Sequence, residues 1–148
     1  MGMNKKTDNR GFSLVELIIV IAIMAILVGV LAPQFIKYVE RSRNSTDKQN
    51  AAAFVSACQT WASETDIPSG ETAFAASKTG TITVNDTGTT VAGDQEAAIK
   101  SALKNAGLSD STTKCASKTA WTSYTLTVSV GTDSNVTVTS NPTGLLSN

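Results

Sequence analysis

The chain has 148 residues, enough for one domain of ordinary size, and its twelve basic and twelve acidic residues cancel. No basic excess points to nucleic acid as an obligatory partner, and the absence of histidine removes the commonest general base and metal ligand. Cys58 and Cys115 form no C-x-x-C pair, so a structural zinc site is not supported, and no cofactor motif stands out.

Residues 1–11 are short, polar and basic, with Lys5, Lys6 and Arg10 against Asp8. An apolar run follows. From Leu17 to Ala32 there are sixteen residues with no charge and no hydroxyl. Counted from Phe12 the segment carries one charge, Glu16. A bilayer core needs about 20 apolar residues of helix, so this stretch can span a membrane. Basic residues at its start keep that end cytoplasmic, so Met1–Gly11 is expected inside and the rest outside. A carboxylate within a spanning helix costs roughly 2.5–3.5 kcal/mol at the centre, which makes Glu16 the residue to explain.

A cleaved signal peptide explains the basic start, but Val30-Leu31-Ala32 is followed directly by Pro33, a poor cleavage context. An ordinary uncleaved anchor explains the length and the lysines, but not Glu16 or the Gly-Phe boundary. The order of a basic leader, Gly11, then Phe12-Ser13-Leu14-Val15-Glu16, then an apolar helix with Pro33, resembles the class III signal of the type IV pilin and type II secretion pseudopilin superfamily. The resemblance implies a prepilin peptidase that cuts between Gly11 and Phe12 and N-methylates the new amine of Phe12. It also implies that Glu16 serves assembly. By charge alone, the Phe12 amine of one subunit can lie beside Glu16 of an axially staggered neighbour, and pairing makes a carboxylate tolerable in low dielectric.

Pro33 sits inside a helical pattern, and Gly29 weakens the same turn, so a kink is expected there. From Gln34 the pattern turns amphipathic. Arg43 to Lys48 reads as polar and solvent-facing. Ala51, Phe54, Cys58 and Trp61 then form an apolar stripe of helical period. One helix is expected from about Phe12 to about Glu64, ended by Ile67-Pro68-Ser69-Gly70.

Thr81–Val84 and Thr89–Val91 read as a hairpin around Asn85–Gly88. Asp94 is expected to cap a helix from Gln95 to about Ala106, with Gly107 as its stop. Tyr124, Leu126, Val128 and Val130 alternate with polar residues, and Val136 and Val138 repeat the pattern after Gly131–Ser134. That is an antiparallel hairpin with one apolar face, and the stripe from Ala51 to Trp61 is the surface available to it. Cys58 and Cys115 are candidates for a disulfide worth ~4 kcal/mol, or for two buried free thiols. Asp86, Asp94 and Asp133 read as turn and cap residues rather than a calcium site.

The expected fold is α+β: a long N-terminal helical spine on a small antiparallel sheet, the head of a pilin. The expected organisation is a leader at 1–11, a membrane and filament-core helix at 12–33, an amphipathic half at 34–66, and a head at 67–148 together with 50–66. The expected function is that of a non-enzymatic pilus subunit. As a precursor it would be single-pass in the cytoplasmic membrane, handled by the peptidase and assembly machinery. It would then be found in a helical homo-oligomeric filament at the cell surface, serving adhesion or twitching motility. The alternatives are a pseudopilin of a type II secretion or DNA-uptake system and a membrane-anchored binding module that does not polymerise.

Overall fold

The structure, a computed structural model, describes residues 11–108 and 112–146. The cleavage-side leader at 1–10 lies outside the described residues. The chain divides into two compact units, Met1–Val39 and Glu40–Asn148. One helix, α1 (Leu14–Ala62, 49 residues), contributes to both. Its apolar half contains an 18-residue window of mean hydropathy 3.1, none of it buried. The helix is unbroken through Pro33. The proline has no N–H, so the Gly29 carbonyl loses its helical donor there.

In the second unit, four strands form one antiparallel sheet: β1 (Thr79–Val84), β2 (Thr89–Gly93), β3 (Tyr124–Val130) and β4 (Val136–Asn141), in the order β2-β1-β3-β4. Both hairpins follow the alternation in the sequence. β3 is the clearest case, with Tyr124, Leu126, Val128 and Val130 all buried and the residues between them half-buried. Asn85 closes the β1–β2 turn, its Oδ1 accepting from the backbone N–H of Thr87 at 2.9 Å and of Gly88 at 3.0 Å. The central pair β1–β3 is long-range, Val84 opposite Tyr124 and Ile82 opposite Leu126.

The chain between them carries α2 (Glu96–Asn105). Its cap differs from expectation. Gln95, not Asp94, holds the N-cap position, and no side chain caps it. Asp94 faces Lys78 instead, at 3.6 Å. Gln95 is buried and spends its amide on the backbone of Ala75, accepting from its N–H at 3.2 Å and donating to its carbonyl. The C-terminal stop is as the sequence reads. Gly107 takes φ +71°, and Leu108 N–H reaches the Leu103 carbonyl at 2.8 Å, the paired bonding of a Schellman end.

The core joins Ala51, Phe54 and Cys58 of α1 with Ile82, Val84, Leu126, Val128, Ile99 and Leu103. Trp61 is buried too, and its Nε1 donates to the Thr72 carbonyl at 2.9 Å. The amphipathic stripe of the helix is therefore core, as its period implies.

At Gly80, β1 lies against Ile99 of α2 and the Gln95 N-cap with no room for a side chain. A methyl group there would stand 2.6 Å from Ile99 Cδ1 and 2.9 Å from Gln95 Cβ. Gly80→Ala is expected to destabilise the second unit by about 1–3 kcal/mol, through overpacking that the helix cannot relieve by a side-chain rotation alone. Urea unfolding of the detergent-solubilised chain, followed by Trp fluorescence, measures it.

Candidate functional site: the N-terminal motif and a carboxylate clamp

In the first unit, Gly11, Phe12 and Ser13 are exposed and non-helical, and α1 begins at Leu14. The first helical hydrogen bond of this end runs from Leu17 N–H to the Ser13 carbonyl at 3.2 Å. The side chain of Glu16 turns back, and its Oε2 accepts the Ser13 N–H at 2.9 Å. Ser13 and Glu16 thus stand at the N-cap and third positions, and this is the reach-back half of a capping box. The Ser-x-x-Glu spacing that signals it is plain in the sequence. The apolar run that follows obscures it, because the same glutamate also reads as a charge within a membrane span.

Beyond the cap, every large apolar side chain from Leu14 to Leu31 is exposed, Val20 least at 46% and Leu14 most at 73%. Moving one such side chain out of water is worth roughly 1.5–3 kcal/mol, so a face of this extent requires lipid or protein around it. Gly29 has open space around its Cα, so its small size serves no packing contact within the chain.

The second unit holds a group of residues that the sequence reading placed in solvent. Asp47, taken there as part of a polar exposed stretch, is fully buried. Its Oδ1 accepts from Ala116 N–H at 2.7 Å. Its Oδ2 accepts from Ser117 N–H and from Trp121 Nε1, each at 2.8 Å. Two helical turns earlier, Glu40 Oε1 accepts from the N–H groups of Lys118 and Thr119 and from Ser117 Oγ, all at 2.8 Å. Glu40 also meets Arg43 at 3.5 Å. The two carboxylates therefore clamp residues 116–121 to one face of α1. Carrying the stripe of Ala51, Phe54, Cys58 and Trp61 back by steps of four and seven reaches Asp47 and Glu40, a signal available in the sequence.

Cys58 and Cys115 are both free and buried. No bridge joins them. The Cys115 thiol is instead directed at Asp47 Oδ2, 3.4 Å away. Burial pushes the Cys58 thiol up to about 12, and burial together with the Asp47 charge pushes Cys115 up to about 11, so both stay protonated. Burial, with Asp47 and Cys115 nearby, likewise raises the Tyr124 phenol. Among the described residues no cluster of His, Cys, Asp or Glu could hold a metal ion. Asp133 accepts from Asn135 N–H at 3.2 Å, a turn role.

Residues 6–32 match the family model described as the prokaryotic N-terminal methylation motif. The chain is 47% identical over 58 residues to the type IV major pilin protein PilA of Myxococcus xanthus, covering 39% of this chain and 26% of that one. It is 38% identical over 68 residues to the prepilin peptidase-dependent protein A of Clostridium perfringens, covering 46% of this chain and 49% of that one. The aligned chain thus spans about a quarter and about half of the lengths of these two relatives. No solved structure matches. A methylation motif, a long apolar helix and a small antiparallel sheet together make a pilin-like arrangement. These likenesses support a type IV pilin-like prepilin. Its likeness is to structural pilin proteins and not to enzymes.

The clamp gives two expected outcomes. The hydrogen bonds from Lys118 and Thr119 N–H hold the Glu40 carboxyl at about 2, against an ordinary 4.5. A depressed pKa adds stability above the unfolded value that disappears as pH falls toward the folded one. Unfolding midpoints should therefore drop as pH is lowered from 4.5 toward about 2, and Glu40→Gln should flatten that slope. Asp47→Ala orphans three N–H donors, that of buried Ser117 and those of half-buried Ala116 and Trp121, and a loss of about 3 kcal/mol is expected. The same urea titration at neutral pH measures this loss.

Proposed function

We propose that the chain is the precursor of a filament-forming type IV pilus subunit, cut after Gly11 and N-methylated on Phe12. The observation that carries this reading is the exposed apolar helix that lies within the matched methylation motif and runs on beyond it. Such a surface is stable in two settings, lipid and a bundle of like helices. A precursor anchored in the cytoplasmic membrane, with residues 1–11 inside, uses the first. A filament whose core is the 12–33 helix uses the second. The amphipathic half at 34–66 and the head at 67–148 would then form the outer shell.

Glu16 links the two settings. Cleavage creates a cation on Phe12, and an axial stagger brings it to the Glu16 carboxylate of a neighbour. The pair rewards one register, because a mismatched subunit leaves both charges buried and unpaired. Gly29 and Pro33, where one helical hydrogen bond is missing, are the point at which α1 bends or loosens most cheaply. The partners are other copies of the chain or related pilins, the peptidase and the membrane assembly machinery. The relative named as a major pilin supports a pilus over a type II secretion pseudopilin.

Mass spectrometry of filaments sheared from cells tests the reading. The expected chain begins at N-methyl-Phe12. A chain that stays membrane-bound and uncut, with no filament lost on its deletion, would instead identify a non-polymerising anchored module. Glu16→Ala is expected to abolish filaments while leaving the chain in the membrane, since an orphaned buried charge costs about 3–5 kcal/mol per contact. Electron microscopy and immunoblotting of the membrane fraction separate these outcomes.

A further inference from the structure

The charges of the second unit are sorted. Five basic residues, Arg41, Arg43, Lys48, Lys114 and Lys118, stand exposed on α1 between Glu40 and Asn50 and on the 112–123 segment clamped to it. The acids of these two segments are Glu40 and Asp47. Both turn their carboxylates onto backbone N–H groups of the clamped segment. A further acid, Asp86, shares a cleft with Lys118. Apart from these, the described residues of the unit hold three bases and six acids. Each of those three bases, Lys78, Lys100 and Lys104, already faces an acid. The clamp causes the sorting, because it spends its two acids inward and leaves the neighbouring cations at the surface.

A cationic face fits an anionic surface. Lysine is depleted where proteins meet, and three of the five cations are lysine, so a second protein is a poor match. The place of the face on the chain selects a membrane over other polyanions. Phe35, Ile36 and Tyr38 are exposed on α1, and Arg41 follows Ile36 by five residues of unbroken helix. Tyrosine at the interface, with long basic side chains reaching to it, marks the edge of a membrane span. Helical side chains lean toward the helix N-terminus, so Arg41, Arg43 and Lys48 lean toward the apolar half. We propose that this cationic face binds anionic phospholipid headgroups of the leaflet through which α1 emerges. The proposal rests on the membrane-anchored precursor and adds the class of lipid that it takes. A domain of this length is translocated largely regardless of its charge, so the cations do not oppose the orientation set by residues 1–11. The attraction acts over about 8–10 Å at moderate salt, and the same surface repels the acid-rich remainder of the unit.

Lys114 and Lys118 are the residues to change, because the clamp uses the backbone N–H groups of their segment and not their side chains. Full-length chain is placed in nanodiscs of equal parts phosphatidylglycerol and phosphatidylcholine. Native mass spectrometry of the released chain then counts the lipids that stay bound. The native chain is expected to keep phosphatidylglycerol in preference to phosphatidylcholine. Lys114→Gln combined with Lys118→Gln should lower that preference about five-fold or more, the factor that one lysine near an anionic surface contributes. Lys78→Gln combined with Lys100→Gln removes the same charge outside the face and should leave the preference as in the native chain. Urea unfolding of both double variants checks that the second unit is intact. An unchanged preference in the first double variant overturns the inference. If that variant also forms no filaments, the cations belong to a contact between copies. An equal loss in the second double variant overturns the inference too, since it reduces the effect to net charge. A native chain that does not enter the nanodisc overturns the anchored precursor itself, and the inference with it.

Discussion

The carboxylate of Asp47, fully buried and held by three N–H groups and a thiol, fixes the architecture of the second unit. A charge removed from water without compensation is costly. Peptide and indole dipoles compensate this one, and they do so in only one arrangement of residues 115–121 on the helix. Glu40 repeats the device two turns away, closer to solvent. Among the described residues the segment between α2 and β3 carries no regular structure, so without the clamp little would fix where it crosses α1. With the clamp set, Tyr124 enters β3 at a defined place, and β3 is the strand that pairs with both β1 and β4. The polar contact thus specifies the register of an otherwise apolar packing, while the core from Phe54 to Leu126 supplies most of the burial.

The two units solve opposite problems. Glu40–Asn148 buries its apolar side chains against itself, so it can exist in water. The apolar helix of Met1–Val39 buries none of its large apolar residues within the chain. Nothing in that half repays the exposure of so many Ile, Val and Leu side chains, and apart from the bond missing at Pro33 its helical hydrogen bonds are made within the segment. Those are the requirements of a spanning helix, whose backbone must be satisfied internally and whose surface must be apolar. They are equally the requirements of a helix in a bundle of copies. An element fitted to both surroundings can pass from one to the other without refolding, and this is the physical core of the pilin resemblance.

Much of this was legible in the sequence, and what was not has a common cause. Period-two alternation located β3 because each of its inward residues is apolar. The Ala51–Trp61 stripe located the packed face of α1 for the same reason. Gly107 announced the end of α2, because an αL turn favours a residue without Cβ. The failures all involve polar side chains whose partners no sequence pattern marks. Asp94 was a fair N-cap by residue type, but Lys78 takes it while Gln95 turns into the core. Asp47 and Glu40 look like surface residues unless the apolar stripe is carried back through them. Their partners, the N–H groups of residues 116–119, leave no trace in composition, since every residue except proline offers one. For Cys58 and Cys115 the sequence leaves a bridge and two buried free thiols both open, and it says nothing of the carboxylate beside one of them.

Asp47 and Glu16 show what a carboxylate requires in apolar surroundings. Asp47 uses both oxygens, and all its partners are fixed within one chain. It is a finished contact, suited to structure. Glu16 uses one oxygen, on the Ser13 N–H of its own helix start. A carboxylate has two oxygens and about four acceptor positions, so this contact leaves room for a further donor without being broken. The positive end of the helix dipole lies at the same place and favours negative charge there. In the proposed filament an incoming amine would therefore not need to displace the cap, and the carboxylate would already be oriented before the neighbour arrived. Orientation in advance reduces the ordering cost of the encounter, so one residue can close its own helix and still present a charge to the next subunit.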